Sequence, residues 1–139
     1  MSIDFSSIKL EVLDISVNAA PEIYINQHGV TFSKRVLEDM GYPQNVVYCI
    51  DGSRIFAIRV AKSNEAKSTP FSKSRSEQSS TLSCNNKNLH DNIAKFIPSY
   101  DPRKRYKVIG EYNAENRTMY YDMTTAEVCL FREKDKSQE

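Results

Sequence analysis

The sequence predicts an α+β, β-rich fold built from two βαββ units, and three observations carry that expectation. A very short helix is pinned between extended runs in HGVTFSKRVLEDMG. Asp51-Gly52 parts two apolar, β-branched runs, VVYCI and RIFAIRV, which is a strong hairpin signal because both residues accept the positive φ of a tight turn. The order strand, helix, hairpin then recurs: Thr31-Phe32-Ser33 leads the first helix, and Thr81-Leu82-Ser83, fifty residues on, leads the second. Two such units sharing one core make an intrachain pseudo-dimer.

Taken in order, IKLEVLDISV, EIYIN and VTF read as strands. The helix at 34–40 has both ends written into it. Ser33 stands where its hydroxyl can accept from first-turn amides, Gly41 supplies a left-handed C-terminal residue, and Pro43 forbids continuation. Val36, Leu37 and Met40 share the helix face that seeks a core. Residues 62–80, KSNEAKSTPFSKSRSEQSS, have little to bury and read as a flexible basic linker, which divides the chain into a first unit at 1–61 and a second at 81–139.

In the second unit Asn85 or Asn86 caps a helix through about residue 97, with Leu89, Ile93, Phe96 and Ile97 on one stripe and Pro98 as its stop. KRYKVIGEY and TMYYDM form a hairpin around Asn113–Asn116, with Tyr106, Val108 and Tyr112 on one face. The final segment TTAEVCLFREK opens with a capping-box pattern, Thr124-x-x-Glu127, which favours a helix over 124–132; Val128–Phe131 also suits an edge strand.

Composition narrows the function classes. Apolar residues at 40% and charged residues at 27% fall in the range of soluble globular proteins. No apolar run approaches the roughly 18 residues that span a bilayer. The leading MSIDFSSIKLEVLD has no cationic start and no continuous apolar stretch, which predicts no secretory leader and a cytoplasmic location. Cys49, Cys84 and Cys129 lack ligand or disulfide spacing and read as free thiols. His28 and His90 are the only histidines; Cys84 with His90 is the one conceivable nucleophile and base, with no carboxylate in view to orient it, and His90 reads as an exposed helix residue. No Gly-rich phosphate loop is present. The chain is therefore read as non-catalytic, with no cofactor and no metal.

The near-neutral net charge conceals a basic middle. Residues 62–107 hold ten basic against four acidic side chains, while both flanks are acidic. Its densest cluster is Arg103-Lys104-Arg105-Tyr106-Lys107, preceded by Tyr100, where cations can meet phosphates and a tyrosine can stack on a base. Lys62, Lys67, Lys73 and Arg75 can track a phosphate backbone from the linker.

The stretch VTFSKRVLEDMGYPQNVVYCIDGSRIFAIRV resembles the AbrB-like (SpoVT/AbrB, MazE-type) swapped-hairpin family. Lys34, Val36, Met40 and Gly41 fall on that pattern, over residues 22–61. Ser33 stands where the family usually has Pro, and Gly29 and Leu37 stand where it has basic residues. The resemblance implies an interleaved barrel in which two βαββ units exchange hairpins, and DNA binding through a surface to which Lys34 and Arg35 correspond. The expected function is a DNA-binding transcriptional regulator or antitoxin-like protein, as a monomeric pseudo-dimer or a homodimer, with Lys34, Arg35, Arg103, Lys104, Arg105 and Lys107 as candidate contacts. The alternative is a protein-interaction module, such as a mobile-element-encoded inhibitor or adaptor, that reuses the barrel without DNA.

Overall fold

The computed structural model describes residues 4–12, 20–78 and 81–129. It is an α+β fold of two antiparallel five-stranded sheets and two short helices. In chain order come β1 (Glu22–Asn26), β2 (Gly29–Phe32), α1 (Lys34–Met40), β3 (Asn45–Asp51), β4 (Ile55–Val60) and β5 (Thr69–Pro70). Then follow β6 (Leu82–Cys84), α2 (Lys87–Ala94), β7 (Arg105–Ile109), β8 (Glu111–Asn113), β9 (Thr118–Asp122) and β10 (Glu127–Cys129). One sheet has the order β10-β7-β1-β2-β6 and the other β5-β3-β4-β9-β8. Both mix strands from the two ends of the chain, and one core joins Ile23, Phe32 and Leu37 to Ile93, Val108 and Met119. No pairing among the described residues closes the sheets into a barrel. No helix among them is long and apolar enough to cross a membrane.

Alternation decides which side chains enter the core. On β1, Ile23 and Ile25 are buried while Glu22, Tyr24 and Asn26 face outward, as a period of two requires. The helix face Val36, Leu37, Met40 is buried, and Gly41 ends α1 at φ 77°, a left-handed conformation costly for any residue with a Cβ. The Asp51-Gly52 hairpin forms between β3 and β4.

Several expectations give way to tertiary contacts. Ser33 occupies the N-cap position without capping; its hydroxyl instead accepts from the Glu22 N–H at 3.1 Å, tying α1 to the start of β1. Residues 8–12 form no strand, and 13–17 lie outside the described residues. The segment read as a linker is seated over 69–72: β5 pairs with β3, Phe71 packs edge-on against Phe32 at 5.1 Å, and the Ser72 hydroxyl donates to the Pro43 carbonyl at 2.6 Å. The helix α2 ends at Ala94, although Phe96 and Ile97 remain buried in the turns beyond it.

The second hairpin forms but its first arm breaks at Gly110, so that β7 joins one sheet and β8 the other. A Cβ at Gly110 would lie 2.5 Å from the ring of Tyr121, so only glycine allows the chain to cross there. The helix expected over 124–132 is a single 3-10 turn, Met123–Thr125, followed by β10; residues 130–132 lie outside the described residues. Asp122 captures both the N–H and the hydroxyl of Thr124, so the presumed cap residue is itself capped, and the chain leaves to pair with β7.

Candidate functional site

The six basic candidates do not form one free surface. Lys34 is exposed at the start of α1. Arg35, half-buried, bonds Asp39 at 2.7 Å along the helix. Arg103 grips Asp101 through Nε at 3.1 Å and Nη2 at 3.0 Å, and this guanidinium, with the Arg103 N–H, holds the Asp101 carboxyl down at about 2. Lys104 is exposed. Arg105 lies over the Tyr24 ring, 4.1 Å from its centroid, and Lys107 stands 3.6 Å from Glu22. Burial and the bond to Glu22 push the Tyr24 phenol up to about 12.

Strand register separates these groups. The Ser33 N–H donates to the Glu22 carbonyl, which places Lys34 at the Glu22 end of β1, whereas Ile25 opposes Tyr106, which puts Arg105 at the other end with Arg103 and Lys104 beyond it. The aromatic residues beside them are occupied: Tyr106 is buried and its hydroxyl accepts from the Asp101 N–H at 2.8 Å, while Tyr100 bonds His90 Nε2 at 2.8 Å. His90 is therefore not an exposed helix residue. It is largely buried, and its other ring nitrogen lies 3.0 Å from Asp91. Cys84 faces Tyr48 instead, so the fold does not join it to His90 as a catalytic pair. Among the described residues no group of three or more His, Cys, Asp or Glu side chains can hold a metal ion.

A different site emerges between β3 and α2. A cleft of about 390 Å³, within the usual range of ligand pockets, has a floor of Tyr48, Phe56, Leu89 and Ile93 and a rim that includes Asn86 and Asn92. Asn86 is the N-cap of α2, its side-chain oxygen accepting from the Leu89 N–H at 2.9 Å. Tyr48 stacks on Phe56 with centroids 6.0 Å apart. Burial, and then its neighbour Cys84, raise the Tyr48 phenol well above its ordinary value, which keeps it protonated at neutral pH.

Lys67 is the one charged residue in the lining, and the loop that carries it is pinned. Arg59 forms two parallel bonds to the Glu65 carboxylate, which also accepts from the Lys62 N–H at 2.9 Å. These partners, Arg59 first, hold the Glu65 carboxyl down at about 2. Asn64 and Lys67 turn the backbone at φ 60° and 66°, sparsely populated values that persist only where surrounding contacts impose them.

The cleft opens beneath an unpaired strand edge. On one side β3 pairs with β4 from Val46 to Asp51; on the other it meets β5 only at Asn45 and Val46. From Val47 to Asp51 no strand among the described residues lies beside it, and Ile50, which lines the cleft, is 51% exposed. Sequence reasoning missed this site because its walls lie far apart in the chain; the only local sign was an isoleucine beside the hairpin turn.

Comparison of the chain with protein-family models, with curated proteins and with solved structures finds no match.

Proposed function

We propose that this chain is a non-catalytic interaction module that takes up an extended segment of a partner protein along β3, with alternate side chains seated in the cleft. The observation that carries this reading is the coincidence of the open edge at 47–51 with the apolar cleft directly beneath it. An added strand satisfies the unpaired N–H and C=O groups of such an edge, and pockets for alternate side chains give it specificity. Lys67 at the rim favours an acidic residue in the partner. The pairing of β2 with β6 and of β4 with β9 supports the related proposal that two βαββ units interleave as an AbrB-like pseudo-dimer.

A library of short displayed peptides tests the module. Enriched peptides are expected to alternate large apolar with polar residues, to carry acid, and to lose binding to an Ile50→Asp variant. Enrichment of nothing, or binding indifferent to Ile50→Asp, overturns the reading.

Duplex DNA is the second reading, favoured by Lys34 and Lys104, which stand exposed. Binding to random-sequence duplex as salt rises separates the two, because each phosphate neutralised contributes a slope of about −0.9 in log affinity against log salt. Little binding at low salt is expected, since Arg35, Arg103 and Lys107 already face carboxylates. Strong, salt-sensitive binding abolished by Arg103→Glu with Arg105→Glu would establish the DNA reading instead.

A further inference from the structure

We infer that the segment Ile8–Val12 of a second copy of this chain occupies the same groove, so that two copies exchange arms across their β3 edges. This rests on the groove receiving an extended strand, and it names the chain itself as one occupant.

The segment has the chemistry the groove calls for. Ile8, Leu10 and Val12 alternate with Lys9 and Glu11, a strand pattern with one apolar face. In the single chain Leu10 is 93% exposed and Val12 98% exposed, and Ile8 is 46% exposed. The backbone is already extended at Ile8, with φ −91° and ψ 132°. Exposed alternating apolar residues and an open edge are each a liability in one molecule, and strand addition removes both together.

Face and charge select a register. Residues 9–12 fit within the open stretch 47–51, and Ile8 lies beyond it, opposite Gly52 of the turn. Laid antiparallel with Leu10 opposite Ile50, the segment places Val12 opposite Tyr48, so that both apolar side chains enter the cleft face. The same register sets Lys9 opposite Asp51 on the outward face, where Asp51 has no ion pair among the described residues. A shift by one residue would turn the apolar face out of the cleft, so the pattern specifies its own alignment. Each copy offers one arm and one groove, and reciprocal exchange closes as a twofold dimer.

Sedimentation equilibrium of the full chain over a range of concentrations tests the exchange. The wild type is expected to dimerise, and Leu10→Asp with Val12→Asp, or Ile50→Asp alone, to weaken the dimer at least tenfold. Leu10, Val12 and Ile50 are all exposed in the single chain, so these variants are expected to fold, as circular dichroism would verify. Mixing the arm-defective and groove-defective proteins is expected to restore association, because one intact arm then meets one intact groove. In a mixture of carbon-13-labelled and unlabelled wild type, isotope-filtered contacts between Leu10 methyls and the Tyr48 ring are expected between copies. A wild type that stays monomeric, contacts found only within a copy, or a dimer indifferent to both variants overturns the inference. A monomeric wild type whose groove still takes library peptides in an Ile50-dependent way would sink the exchange alone and leave the interaction module standing.

Discussion

Helices α1 and α2 follow the same order of elements, yet α1 seals its end of the core and α2 leaves its end open. The α1 helix packs on β1 of one sheet and β9 of the other, spanning the gap between them, and Val36, Leu37 and Met40 are at most 1% exposed. The α2 helix packs chiefly on β2, so the space between it and β3 stays unfilled and becomes the cleft. Each end holds an aromatic hydroxyl in a telling position. Tyr121, beside α1, is fully buried with no partner for its hydroxyl among the described residues, whereas Tyr48 turns its hydroxyl towards Cys84 at the cleft. The contrast teaches that a repeated order of elements does not repeat a job: bridging two sheets makes a plug, and lying on one makes a wall.

The largest expected effect comes from cutting the plug. Leu37→Ala removes a fully buried side chain and is expected to cost about 2–5 kcal/mol, while Leu89→Ala at the half-buried cleft wall costs roughly 1 kcal/mol or less. Urea denaturation of both variants gives the comparison; equal losses would mean that the two ends are packed alike. Next comes Gly110→Ala, whose new methyl would press on the Tyr121 ring at 2.5 Å. A loss of about 1–3 kcal/mol in the same assay is expected, and an unchanged midpoint would show that the crossing between sheets tolerates a side chain.

Smaller, and of opposite sign, is Tyr121→Phe. Deleting a buried hydroxyl that has no partner is expected to raise stability by up to about 1 kcal/mol, whereas Tyr48→Phe should be close to neutral because that hydroxyl lies against Cys84 at an open cleft. Thermal unfolding distinguishes them, and a destabilised Tyr121→Phe would show that the hydroxyl has a role the closed end conceals.

The smallest effect is local and depends on pH. Glu65 has a folded-state pKa of about 2, below its ordinary value, so its contribution is present above about pH 4.5 and is lost as pH falls towards 2. Amide exchange in residues 62–67 should therefore quicken over that window, with little change elsewhere, and Glu65→Gln should flatten the profile. A flat profile in the wild type would detach the pinned loop from the open end of the comparison.

Legibility from sequence followed the range of the interactions involved. The Gly41 end of α1, the Asp51-Gly52 turn and the Asn86 cap were readable because each depends on conformational preferences and hydrogen bonds spanning a few residues, whereas the Ser33 hydroxyl went to a partner eleven residues away. The pattern of buried residues on β1 and on α1 was readable for the same reason, since periodicity is a local property. The candidate site was much less so. Lys67 was visible only as one basic residue among several, and Tyr48, Ile50 and Asn92 carried no sign of function until β3 and α2 faced one another.

What the sequence by itself determined is thus a β-rich chain with two short helices, tight turns at named positions and a basic middle. Tertiary structure decided how those parts are spent. It sent β7 and β8 to different sheets at Gly110, drew Phe71 into the core, and set Arg105 over a ring and Lys107 beside a carboxylate. It also left β3 with no strand among the described residues beside it from Val47 to Asp51. The physical reason is that backbone preference acts within a turn or two, whereas a strand's neighbours, a cation's partner and the space beneath a helix are set by which distant surfaces pack together.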